Sequence, residues 1–121
     1  MDVRFKEVPF RFDGQDWTLR CNMNVLADVQ EENGGDFSAI LSGRRTAKSV
    51  LQLLAAMLND DAAARGIETR YTAREVGRKL SMPEFNRISG QIMALVVAAV
   101  KADDAAGDEP ADEKNAQTSE A

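Results

Sequence analysis

TAKSVLQLLAAMLN, residues 46–59, is the most apolar long segment after the N-terminal region and contains neither Gly nor Pro. Val50, Leu51, Leu54 and Leu58 recur at helical spacing, and Leu53 and Met57 form an adjoining stripe. An apolar arc this wide exceeds one shallow contact and predicts a helix with neighbours on two sides. At about 1.5–3 kcal/mol for each large apolar side chain buried, such a helix can anchor a small domain. Thr46 stands where an N-cap belongs. Asp60 to Ala64 contains no helix breaker, so the helix can continue until Gly66 stops it.

Upstream, residues 3–21 predict a β-hairpin. Val8, Phe10 and Phe12 alternate with Pro9 and Arg11, and Trp17, Leu19 and Cys21 alternate with Thr18 and Arg20. Asp13-Gly14 between them tolerates the positive φ of a tight turn. A two-residue turn sets Phe10 opposite Trp17 and Val8 opposite Leu19. A four-residue turn sets Phe12 opposite Trp17 and Phe10 opposite Leu19. Both registers leave one apolar face, so the pattern fixes the face and leaves the register open. Pro9 suits an edge strand. A lone hairpin is marginal in water, so its apolar face must lie on the helices.

Asn24 can cap a short helix from Val25 to Glu32, ended by Asn33-Gly34-Gly35. Asp36 can cap a second, Phe37 to Leu41, closed by Ser42-Gly43. Beyond the long helix, Thr72 and Glu75 have capping-box spacing ahead of a short helix carrying Val76 and Leu80. Ser81 and Glu84 repeat that spacing, with Pro83 tolerated in a first turn. The last helix is expected from Met82 to Ala102, where Phe85, Ile88, Ile92, Leu95, Val96, Ala99 and Val100 follow the helical period. Gly90 either weakens its middle or lets a neighbour approach closely.

The net charge of the 121 residues is −5, but its location matters more than its size. Residues 103–121 alone carry −6, which leaves the preceding 102 at +1. The acidic segment has no large apolar residue, cannot offset its ordering entropy by burial, and is expected to be disordered. The expected organisation is one domain, residues 1–102, followed by the acidic tail, 103–121. The fold class is α+β, an N-terminal hairpin packed on a mainly helical body of about five helices.

Chemistry is thinly represented. The single cysteine, Cys21, excludes an intrachain disulfide, and the chain has no histidine. His-based acid–base catalysis and the commonest transition-metal ligand are therefore absent. Cys21 reads as a small buried hydrophobe, since only Arg20 is cationic beside it. Asp60-Asp61 and Asp103-Asp104 read as exposed acidic helix ends. Asn33 to Asp36 matches no phosphate-loop pattern and is explained by a C-cap followed by an N-cap. Arg44, Arg45 and Lys48, with Arg74, Arg78 and Lys79, form basic clusters read as solvated helix faces or as a surface for an acidic partner. Met57, Met82 and Met93 read as core filling, or together as an adaptable binding surface. No catalytic residue, metal or cofactor is expected. No segment reaches the roughly 18–20 apolar residues of a membrane span. MDVRFKEVPF lacks the basic start and apolar run of a signal peptide, so the cytoplasm is the expected compartment.

The order of blocks carries a resemblance. Phe10 to Leu19 reads F-x-F-D-G-x-x-W-x-L and Asn24 to Gly35 reads NVLADVQEENGG. FSAIL and the Leu-rich helix follow, then YTAREVGRKL, then MPEFNRI ahead of the last helix. This succession, over residues 5–100, resembles the tail assembly chaperones of long-tailed bacteriophages and their relatives in gene transfer agents. The resemblance implies a non-enzymatic protein of the bacterial host cytoplasm. It would bind the aggregation-prone tape-measure protein during tail assembly, with other tail proteins and self-association as further contacts. Leu53, Met57, Ile92 and Val96, on the wider arcs of the two longest helices, are the expected partner-binding residues. Two alternatives are a structural tail or head–tail connector subunit and a small DNA-binding regulator with Thr72–Ala102 as helix–turn–helix. The near-neutral charge of residues 1–102 disfavours the regulator.

Overall fold

The alternating apolar residues of the N-terminal region form a two-stranded antiparallel sheet, β1 (Val8–Phe12) and β2 (Gln15–Leu19). A computed structural model describes residues 7–35 and 46–108, with side chains as far as Val100. Phe10 pairs with Trp17 and Val8 with Leu19, which is the two-residue register. Asp13 and Gly14 form the turn at φ 54° and 77°, both in the left-handed region that matches the twist of a hairpin. Phe10, Phe12, Trp17 and Leu19 are buried, whereas Pro9, Arg11 and Asp16 face solvent. The Trp17 indole donates to the Phe12 carbonyl at 3.0 Å, which satisfies its one polar atom inside the core.

Helix α1 (Met23–Glu32) begins two residues before the expected start. Asn22, not Asn24, is its cap and accepts from the Val25 N–H at 3.1 Å. The Asn22 amide also donates to Asp60 at 2.7 Å, a tertiary bond that selects this cap over its neighbour. Helix α2 (Ala47–Ala64) is the stretch first quoted. Thr46 caps it with Ser49 in a reciprocal box, at 2.9 and 3.2 Å. Arg65 and Gly66, the latter at φ 72°, end it. Both apolar stripes are buried except at Leu51, which is half-buried, because α2 packs against β2, α1 and the two helices that follow it.

Those are α3 (Ala73–Lys79) and α4 (Met82–Asp108). Both predicted capping boxes form. Thr72 and Glu75 exchange bonds of 2.9 and 3.1 Å, and Ser81 and Glu84 exchange bonds of 3.1 and 3.3 Å. Helix α4 passes the expected end at Ala102 and takes in residues 103–108 of the acidic segment. Ala105 and Ala106 are strong helix formers and no Pro intervenes before Pro110, so nothing forbids the extra turns, although Asp103, Asp104, Gly107 and Asp108 are poor helix formers. The described residues thus hold four helices and one hairpin, an α+β arrangement. The expected Phe37–Leu41 helix and residues 109–121 lie outside the described residues.

One core joins hairpin and helices. Tyr71 packs edge-on against both Phe12 and Trp17, with centroids 5.5 and 5.9 Å apart. Its hydroxyl donates to Asp13 in the hairpin turn at 2.8 Å, and Lys79 approaches the same carboxylate at 3.3 Å. Asn59 on α2 fixes the backbone of Tyr71 from the other side. Its side chain accepts from the Tyr71 N–H at 2.6 Å and donates to the Tyr71 carbonyl at 2.8 Å. The turn, the connection into α3 and α2 are thereby locked together.

Candidate functional site

The four expected partner-binding residues are all core. Leu53, Met57 and Ile92 are 0% exposed and Val96 is 1% exposed. They offer no surface to a partner in this fold, which corrects the expectation drawn from the width of the two helical arcs. The arcs are wide because α2 is surrounded, with the hairpin on one side and helices on the others.

Among the described residues Met23, Met82 and Val97 are the exposed large hydrophobics, and the one beside an apolar groove, Met82, lies at a corner. The second capping box separates α3 from α4 at Leu80-Ser81. A groove of about 210 Å³ opens there, walled by Ala47 and Leu51 of α2, Gly77 of α3, and Leu80, Met82 and Phe85 around the corner. Leu51, Leu80 and Phe85 are half-buried, and Met82 is 73% exposed. Gly77 brings α3 down onto α2, since a Cβ there would stand 3.3 Å from Leu51 Cδ1. Of Met57, Met82 and Met93, only Met82 is at the surface. A flexible thioether suits it to irregular apolar contact. In the sequence these positions are hidden, because Leu80 and Phe85 fit the core periodicity. The available signal was the pair of closely spaced capping boxes, which forces a corner where apolar residues are only half covered.

A second, polar cleft of about 140 Å³ lies between α1, α2 and the Arg70–Thr72 connection. Asp28, Glu31 and Glu32 line one side, Gln52 and Asn59 the other. Gln52 accepts from Asn33 at 3.0 Å.

Asp61 departs from the expected exposed helix end. It is 3% exposed and its carboxylate accepts from the Thr18 backbone N–H at 3.2 Å. Arg20 lies 3.4 Å and Arg65 3.0 Å from it. This clasp joins helix to hairpin and leaves no free carboxylate edge for chemistry. No group of three or more His, Cys, Asp or Glu side chains among the described residues could hold a metal ion. Cys21 is half-buried, and burial pushes its thiol up to about 11, away from thiolate reactivity. No helix among the described residues is long and apolar enough to cross a membrane. No family model, curated protein or solved structure matches the chain.

Proposed function

We propose that the chain is a tail assembly chaperone of a long-tailed bacteriophage or prophage, acting without catalysis in the host cytoplasm by holding the tape-measure protein in soluble form. The observation that carries this reading is the Leu51–Leu80–Met82–Phe85 groove, an apolar corner left open among the described residues beside the hydrophobic core. Helix-in-groove binding needs such a surface, and covering a partner's apolar stripe suppresses its aggregation. The order of hairpin, capped helices and long terminal helix supports the same reading through the family resemblance.

Co-expression with the tape-measure protein of the same phage or prophage is the test. The expected result is a rise in soluble tape-measure protein with the wild-type chain and loss of that rise with Met82→Asp. Unchanged solubility with the wild-type chain would sink the proposal. Mass spectrometry of purified particles separates a chaperone, which is absent from them, from a structural subunit, which is retained.

A further inference from the structure

Asn33 is the one asparagine of the chain that is followed by glycine. That dipeptide is the least hindered setting for succinimide formation, because a residue without Cβ lets its amide nitrogen reach the preceding side chain. The fold holds both reacting groups. Asn33 is the C-cap of α1 at φ −110° and ψ 27°, and Gly34 and Gly35 follow at φ 69° and 88°. The Asn33 side-chain amide donates to the Val29 carbonyl at 2.7 Å and to Gln52 Oε1 at 3.0 Å, so both of its N–H bonds are used. The Gly34 N–H, on the nitrogen that would attack, donates to the Glu31 carbonyl at 3.2 Å. The Gln30 side chain braces the turn by donating to the Gly35 carbonyl at 3.0 Å. Gln52 is 6% exposed and belongs to α2, so it is the tertiary part of this clamp, whereas the other bonds are local to α1 and its cap. Asn33 itself stands at the surface, where water reaches it.

We infer that Asn33-Gly34 is a site of spontaneous deamidation that the docking of α1 on α2 keeps closed. When the cap opens, the Gly34 nitrogen gives up its proton to solvent and attacks Asn33 Cγ. A new C–N bond closes a cyclic imide, the Cγ–Nδ2 bond breaks, and the departing nitrogen takes up a proton and leaves as ammonia. Water then adds to either imide carbonyl, which leaves aspartate or isoaspartate at position 33. The product cannot rebuild the clamp. A carboxylate has no N–H, so the Val29 carbonyl and Gln52 Oε1 lose their donor. It also adds negative charge at the C-terminal end of α1, close in sequence to Glu31 and Glu32. The helix dipole disfavours it there, and the last turn of α1 holds no basic residue to offset it. The step is therefore one-way and loosens the seam between α1 and α2.

Tandem mass spectrometry of the tryptic peptide from Cys21 to Arg44 follows the gain of one mass unit at Asn33 during incubation at mildly alkaline pH. The folded full chain is compared with the same chain in urea. The unfolded chain is expected to react at least about tenfold faster, since reaction at a protected site scales with the population of its open form. Gln52→Met keeps the length of the buried side chain and removes the amide acceptor. It should speed the reaction in folded protein about fivefold, the population ratio set by one net hydrogen bond. Asp61→Ala is the control, because it weakens the fold through bonds to Thr18, Arg20 and Arg65, none of them in the clamp. In protein that circular dichroism shows to be folded, it should react at the wild-type rate. Equal rates in the folded and unfolded wild-type chain overturn the inference, and that comparison needs no variant. An unchanged rate in Gln52→Met overturns it too. A rise in Asp61→Ala as large as that in Gln52→Met assigns the reaction to global unfolding and also overturns it. Asn33→Asp, the product made directly, should have a lower urea midpoint than wild type, and an equal midpoint overturns the loosening of the seam.

Discussion

Asp61, in the last two turns of α2, holds the backbone N–H of Thr18 on the edge of β2 at 3.2 Å. A two-stranded sheet has no third strand to use that donor, so a helix side chain takes the place of one. Arg65, one turn on from Asp61, completes the joint. It pairs with Asp61, donates to the Asp16 carbonyl at 3.1 Å and lies 5.1 Å above the Trp17 ring. Replacing Asp61 with Ala removes the acceptor and leaves Thr18 unpaired beside two cations. Losing a buried charged acceptor costs more than losing an exposed pair, and half-exposed arginines moderate the loss. The expected destabilisation is about 2–3 kcal/mol by urea unfolding, with Asp61→Asn intermediate because the amide keeps one acceptor. A change below about 0.5 kcal/mol would show that the hairpin is held by apolar contact alone.

Alkaline stability should depend on Tyr71. Burial raises its hydroxyl from 10.0 to about 12, and the bond to Asp13 adds to the rise. The fold therefore favours neutral Tyr71. That contribution is complete below pH 10 and is lost as pH climbs toward 12. Cys21, raised by burial from 9.0 to about 11, adds a loss that begins one unit earlier. Urea midpoints measured from pH 8 to 12 should fall in wild type. They should fall less in Tyr71→Phe, and least in Tyr71→Phe with Cys21→Ala. The acid limb has the opposite sign. Asp13 is held below its ordinary 3.8 first by the Tyr71 hydroxyl and then by Lys79, so its contribution is present above that value and lost below it. Parallel pH profiles in wild type and both variants would refute the alkaline assignment.

Gly90 sits in the middle of α4, exposed, with a helical φ and nothing among the described residues within 4 Å of where a Cβ would stand. The close approach that could justify a helical glycine is absent there. Gly90→Ala should raise stability by about 1 kcal/mol, the helix-propensity difference. A loss of stability in thermal unfolding would mean that an unseen contact uses the bare backbone. Gly77 is the contrast. It lines the groove against Leu51, so Ala there crowds a neighbour at 3.3 Å and should not bring the same gain.

The sequence disclosed the elements better than their relations. Three N-caps, at Thr46, Thr72 and Ser81, are legible because a cap is a local bond between residues three apart. The hairpin's apolar face was legible from alternation, but its register was not, since both turns preserve the face; Asp13-Gly14 alone in the left-handed region decides it. Asn22 wins over Asn24 through its bond to Asp60, which no local window contains. Asp61 looked like a solvated helix end because its partners lie 41 and 43 residues away. The candidate site was the least legible part. Leu53 and Leu51 are both apolar residues of one helix, and only the placement of α3 and α4 makes one core and the other groove wall.

That distinction is open to direct measurement. Leu53→Ala removes a fully buried side chain from the most enclosed part of α2 and should cost about 2–5 kcal/mol, depending on how far the cavity collapses. Met82→Ser alters a side chain that is 73% exposed and should change stability by no more than about 0.5 kcal/mol. For partner capture the order reverses. With protein that is still folded at low temperature, Leu53→Ala should retain binding of a groove-directed helix, because the lining of Leu51, Leu80, Met82 and Phe85 is untouched. Met82→Ser should lose binding while its urea midpoint stays at the wild-type value. If both variants lose binding only in proportion to their loss of stability, the groove is not the docking surface and the corner between α3 and α4 is structural.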